Sequence, residues 1–196
     1  PLMRRFLRLF ISMIIVSCLG IALMTGLGSA YYSLKDGFDD YIKEYGYADI
    51  SITVAGAPEN ICNELGKIDG VTKVDGRMAG DFLLDAGKYM LTARVFTFEE
   101  NSAQKFYERE TAKGESTMPE LYAEADFAQT NGLRAGDEVE LKVGDELKKF
   151  RVSKIVSTPE ALSVEQNAYF WGNNSDFGYV YLPAEYIEEV FGSGDI

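Results

Sequence analysis

The 196-residue chain carries 31 acidic against 19 basic residues and no histidine. A surface of that balance repels nucleic acid. The missing imidazole excludes Ser-His-Asp and Cys-His catalysis, histidine metal ligation and histidine general-base chemistry within the chain.

The first element is Leu9 to Leu34, a 26-residue stretch without a charge. As a helix it would be roughly 39 Å long, more than the ~30 Å hydrocarbon core of a bilayer. Arg4, Arg5 and Arg8 precede it, and every acidic residue follows it, Asp36 being the first. Basic flanks stay cytoplasmic, so residues 1–8 are expected inside, 9–34 in the membrane and the rest outside. Tyr31 and Tyr32 suit the outer aromatic belt. A cleaved signal peptide is the rival reading, with Gly28 and Ala30 before the cut. Its apolar region would normally run for about 7–15 residues, and this one is longer, which favours a retained anchor. Both readings place the remainder outside. Without Arg4, Arg5 and Arg8, the 19 basic residues fall to 16 against 31 acidic, a net charge near −15 that reads as a solvated, solubilising surface.

Within the span, Cys18, Ala22, Gly26 and Ala30 recur every fourth residue, the small-residue face on which membrane helices approach one another. Such a face implies other transmembrane helices as partners. The helix is expected to continue as a stalk over 35–47. Leu34, Phe38, Tyr41, Ile42 and Tyr45 keep the spacing of one helical face, charged residues fill the others, and Gly46 stops it.

Ala48 to Ala55 alternates β-branched residues and reads as a strand. A helix is expected from Pro58 to about Ile68, a turn at Asp69-Gly70, and a strand over 71–85. Asp85-Ala86-Gly87-Lys88 makes a hairpin turn and Tyr89 to Phe98 the return strand. The polar run 99–119 reads as a linker with a poorly defined helix. Glu120 to Thr130 reads as a helix stopped by Asn131-Gly132, and Glu138 to Val143 and Leu147 to Val156 as a hairpin. Residues 159–176 are irregular and include the aromatic run Tyr169, Phe170 and Trp171, which reads as core packing or loop anchoring, with contact to an apolar ligand, a partner loop or a lipid tail as the alternative. Phe177 to Leu182 reads as a strand and Pro183 opens a helix stopped by Gly192. The fold expected is α+β: a transmembrane helix extended into a stalk, then a two-lobed α/β domain. A β-α-β-β lobe spans 48–98, a β-rich lobe 120–182, and a return helix 183–196. Cys18 lies in the span and Cys62 outside, so the two are not expected to pair.

No motif marks a catalytic or metal site. The Gly-Asp-Glu-Val-Glu-Leu stretch at 136–141 lacks the ligand spacing of an EF-hand and reads as a turn into a strand. No P-loop, nucleophile elbow or Ser-x-x-Lys motif is present. Asp36, Asp39 and Asp40 read as a solvated face.

Four stretches together resemble the first membrane helix and extracytoplasmic core domain of MacB/FtsX-type ABC transporter permeases. They are the basic start, span and stalk from Arg4 to Gly46, the strand-like Ala48-Asp49-Ile50-Ser51-Ile52, the run Phe127 to Val139 with Phe150 to Val156, and Gly178-Tyr179-Val180-Tyr181-Leu182-Pro183. The resemblance implies a non-catalytic domain that couples ATP hydrolysis to export or extrusion of a peptide, antibiotic, lipid or lipoprotein in a bacterial cell membrane. It implies a separate cytoplasmic ABC ATPase that binds the ATP, no cofactor in this chain, and a second permease copy or further spans as partners. It also implies that the first lobe is an incomplete, porter-like unit and that the chain is part of a longer protein. The alternative expectation is a single-span anchored sensor that binds its ligand outside. An anchored enzyme is the third.

Overall fold

The structure is a computed structural model. It describes residues 2–58, 60–87, 90–162, 165–167, 170–171 and 175–192, with backbone only for 2–5, 165–167 and 170–171. The chain falls into two units, one ending at Glu44 and one starting at Tyr45.

The first unit is a single helix, α1 (Leu2–Glu44), of 43 residues. At 1.5 Å per residue it is about 65 Å long, about twice the hydrocarbon thickness. It is long and apolar enough to cross a membrane, with mean hydropathy 2.4 over an 18-residue window and none of that window buried. The expected span and most of the expected stalk are one unbroken helix, but the stalk ends at Glu44, and 45–47 lie outside it. Gly37 does not interrupt it. After Glu44 the chain turns, and Gly46 takes φ +67°, the left-handed conformation that glycine adopts without strain.

The second unit is built on one sheet. Its strands are β1 (Ala79–Asp85), β2 (Met90–Phe98), β3 (Tyr107–Thr111), β4 (Glu120–Glu124), β5 (Glu138–Val143), β6 (Glu146–Ser157) and β9 (Phe177–Pro183), with β7 (Glu165–Asn167) and β8 (Phe170–Trp171) a separate pair. The order β6-β4-β9-β2-β1-β5 closes on itself, because β5 pairs back with β6. The result is a closed six-stranded barrel. Two of its contacts are parallel, β2 with β9 and β4 with β6, and the other four are antiparallel. β3 lies outside the ring, on the later part of β6.

Alternation sets the interior. In β2, Leu91, Ala93, Val95 and Thr97 are buried and the residues between them are not. Leu84, Leu121, Val139, Leu141, Phe150, Val152, Val180 and Leu182 join them in one core. Full burial of each such Leu, Val or Phe contributes ~1.5–3 kcal/mol. β6 is long enough to bend around the ring. Its register shifts between Val152 and Lys154, leaving Ser153 as the extra residue, whose hydroxyl donates to the Leu121 carbonyl at 3.3 Å. The shift turns Val152 and Ile155 into the interior and Val156 to the outer face.

Two short helices pack on this core from opposite ends of β9. α3 (Ala125–Asn131) follows β4, with the Glu124 carboxylate accepting from the Phe127 N–H at 2.8 Å as its N-cap. Gly132, at φ +73°, ends it. α4 (Ile187–Phe191) follows β9 through a 3-10 turn at Ala184–Tyr186. Its Val190 is in the core and its Phe191 ring meets Phe82 at 5.4 Å. A further helix, α2 (Ile61–Leu65), lies before the barrel.

The α+β class and the long apolar N-terminal helix hold, but the two lobes do not. Strands from 79–98 and from 120–183 alternate around one barrel, so 99–119 joins parts of the same ring and contains β3. The 48–55 segment is not a strand: Ile50, Ile52 and Val54 are 79%, 71% and 58% exposed. Alternating β-branched residues give strand propensity, but propensity alone makes no strand, and 48–55 joins none of the described strands in a ladder. The helix expected over 58–68 is confined to Ile61–Leu65, and the strand expected from 71 starts at Ala79. The helix expected over 120–130 is a strand followed by a helix, because Leu121 and Ala123 alternate into the barrel before Glu124 caps α3. The helix expected from Pro183 begins as a 3-10 turn. Both hairpin turns are found, with Gly87 at φ +81° and Gly144 at φ +62°.

Candidate functional site

The candidate site lies on the outer face of the barrel. Alternation in β2, β4 and β9 sends one set of side chains into the core and the other outward. The outward set is aromatic: Phe96 and Phe98 of β2, Tyr122 of β4, and Phe177, Tyr179 and Tyr181 of β9. Edge-on and stacked contacts join them, with Phe96 5.3 Å from Tyr179 and 6.1 Å from Tyr181. Such pairs contribute ~0.5–1.5 kcal/mol each beyond their burial.

Residues 99–106 lie on this aromatic wall as a strap, and the six residues from Asn101 to Phe106 all have partners. The Asn101 carbonyl accepts from Lys73 Nζ at 2.7 Å. The Asp75 carboxylate accepts from the Ser102 hydroxyl at 3.0 Å and from the Ala103 N–H. Gln104 Oε1 accepts from Arg77 Nη1 at 2.6 Å, and Gln104 Nε2 donates to Glu160 at 3.2 Å. The Lys105 N–H donates to the Tyr45 carbonyl at 3.0 Å. The Phe106 ring lies 4.8 Å from Phe98, 5.6 Å from Tyr122 and 4.9 Å from Tyr181.

Charge holds the strap's flank. Arg77 grips Glu160 with Nη1 and Nη2, which donate to the two carboxylate oxygens, and its Cζ lies 4.7 Å from the centre of the Phe96 ring. A forked pair of this kind fixes geometry as well as distance. Beneath it, the buried Tyr181 hydroxyl and Thr158 Oγ1 are 2.9 Å apart. Burial, and after it the charge of Glu160, push the Tyr181 hydroxyl well above its usual range, so it stays neutral. Its part is to hold the wall to the 3-10 turn Pro159–Leu162. Among the described residues, no group of three His, Cys, Asp or Glu side chains is placed to hold a metal ion.

The residues singled out in the sequence are placed as follows. Cys18, Ala22, Gly26 and Ala30 lie one turn apart along α1, all exposed. Leu34, Phe38, Tyr41 and Ile42 lie on α1, with Leu34 and Phe38 exposed. Tyr45 stands one residue past the helix, its ring 6.0 Å from Tyr107. Tyr169 lies outside the described residues. Phe170 and Trp171 form β8, paired with β7. Asp137, in the acidic 136–141 stretch, accepts from the Arg134 N–H at 2.8 Å in a turn.

Sequence reasoning missed the strap, Arg77 and Glu160. Arg77 and Glu160 are 83 residues apart, and no spacing rule joins them. A signal did exist for the wall, since Phe96, Phe98, Tyr179 and Tyr181 alternate with core residues in strands that were both foreseen.

No protein-family model matches the chain, and no curated protein is significantly similar to it.

Proposed function

We propose that this chain is the membrane-anchored, extracytoplasmic coupling part of an ABC transporter permease of the MacB/FtsX kind. It carries out no chemistry itself. A separate cytoplasmic ABC ATPase binds and hydrolyses ATP, and this chain passes the resulting movement outward to export or extrude a peptide, antibiotic, lipid or lipoprotein. Residues 1–8 face the cytoplasm of a bacterial cell and the barrel lies outside, as the arginines before the apolar stretch favour. Cys18, Ala22, Gly26 and Ala30 meet other transmembrane helices or those of a second permease copy.

The observation that carries this reading is the continuity of α1. Here the backbone hydrogen bonds run unbroken to Glu44, and the next residue, Tyr45, is bonded to the strap. A helix is stiff along its axis, so α1 suits transmission of movement along its own length.

The test is purification from the native membrane in mild detergent through a tag on this protein. The expected result is co-purification of an ABC ATPase with vanadate-sensitive ATP hydrolysis. Recovery without an ATP-hydrolysing subunit would overturn the reading.

A further inference from the structure

We infer that the 99–106 strap is a relay: displacement of the Tyr45–Gly46 peptide shifts residues 103–105, and the Phe106 ring passes that shift to β2, β4 and β9. The inference rests on the proposed coupling role and specifies the part of the barrel that receives the movement.

Three observations carry it. The first is backbone contact at the joint. An ideal Cβ on Gly46 would lie 2.0 Å from the Ala103 carbonyl oxygen, so the two backbones touch and only glycine fits. With the Tyr45–Lys105 hydrogen bond two residues on, the joint and the strap cannot slide past each other. The second is the pinning of the strap's other side. Asp75, Lys73 and Arg77 hold it through charged groups, whose hydrogen bonds are about twice as strong as neutral ones. Movement at 103–105 is therefore directed along the strap and is not absorbed by slack.

The third is what Phe106 touches. It follows Lys105 directly, and its ring meets one ring from each of three strands, Phe98, Tyr122 and Tyr181. Those strands are β2, β4 and β9, consecutive in the barrel. A packed aromatic contact has discrete arrangements, so a shift in one ring repacks its neighbours. Of the β5–β6 hairpin, Val156 near the end of β6 packs with the wall, and residues 138–149 serve as an internal control.

Peptide-resolved hydrogen exchange on the full chain in detergent micelles tests the relay. Gly46→Ala forces a Cβ against the Ala103 carbonyl, and Lys105→Pro deletes the amide donated to Tyr45. Each is expected to raise exchange about tenfold in 99–106 and also in β4 and β9, with 138–149 unchanged. Phe106→Ala cuts the proposed link. In the double variant Gly46→Ala/Phe106→Ala the strap is expected to exchange faster than in Phe106→Ala alone, while β4 and β9 show no further increase. Faster exchange confined to 99–106 in the two joint variants would overturn the relay, as would an equal rise throughout 138–149. This experiment needs no ATPase or cargo. Its outcome is therefore separate from that of the co-purification.

Discussion

The Phe127 ring fills the space that a side chain on Gly178 would need. An ideal Cβ on Gly178 would lie 2.2 Å from both Cγ and Cδ2 of Phe127. Gly178 occupies an inward position of β9, between the outward Phe177 and Tyr179, and Phe127 is fully buried. α3 therefore closes its end of the barrel with a ring seated against bare backbone. A strand glycine often marks such a close approach.

Gly178→Ala is expected to destabilise the barrel by ~1–3 kcal/mol through overpacking, and Phe127→Ala by ~3–5 kcal/mol through the cavity it leaves. The double variant should lose less than the sum, because the removed ring makes room for the added methyl. Thermal unfolding of the three proteins measures this. Strictly additive losses would contradict the seating.

Glu124 links stability to pH. Burial raises its pKa, and the N–H groups of Phe127 and Asp126 partly offset the rise. A carboxyl whose folded pKa is raised contributes most below its unfolded value and loses that contribution as pH rises through the folded one. Glu124→Gln keeps an acceptor for the Phe127 N–H and does not titrate. Its stability relative to the wild type should therefore increase as pH rises from 4 to 8. Glu124→Ala, which loses the cap, should be less stable than Glu124→Gln by ~1 kcal/mol. Chemical denaturation across that pH range reads both effects.

The grip of Arg77 on Glu160 is the charged contact most tied to the strap, with side chains 27% and 22% exposed. A double-mutant cycle of Arg77→Ala and Glu160→Ala should show a coupling of ~1–3 kcal/mol. Arg77→Lys should recover less than half of it, because an ammonium cannot reproduce the fork to Glu160 while reaching Gln104. Full recovery by lysine would show that charge alone matters there.

Orientation is open to direct chemistry. With Cys18 and Cys62 replaced by serine, a cysteine at Asp145 stands on the exposed β5–β6 turn. A membrane-impermeant maleimide added to intact cells is expected to label Asp145→Cys fully. Labelling only after permeabilisation would place the barrel on the cytoplasmic side.

Features with a local cause were legible in the sequence. The apolar helix, the glycine stops at Gly46 and Gly132 and the two hairpins at Gly87 and Gly144 all follow from composition or turn chemistry within a few residues. The closed barrel was not legible. Its closure depends on β5 pairing back with β6 and on parallel contacts between strands as distant as β2 and β9, and no local pattern encodes these. The 48–55 segment shows the reverse error, since its alternation of Ile50, Ile52 and Val54 signals a strand, yet it forms no ladder and those side chains stay exposed. The strap was hidden for a third reason. Residues 99–106 are polar and aperiodic, and each partner from Lys73 to Glu160 comes from elsewhere in the chain.

The continuity of α1 at Gly37 gives the most direct test. An ideal Cβ at Gly37 meets nothing within 4 Å, so substitutions there act on the helix backbone alone. Gly37→Ala strengthens the helix by ~1 kcal/mol, whereas proline costs ~3 kcal/mol and kinks or breaks it. For the transporter proposed above, the decisive measurement is cargo exported per ATP hydrolysed. Gly37→Pro should insert in the membrane and permit ATP hydrolysis yet lose export, while Gly37→Ala exports at least as well as the wild type. Export by Gly37→Pro at the wild-type ratio would contradict the proposed coupling role of α1.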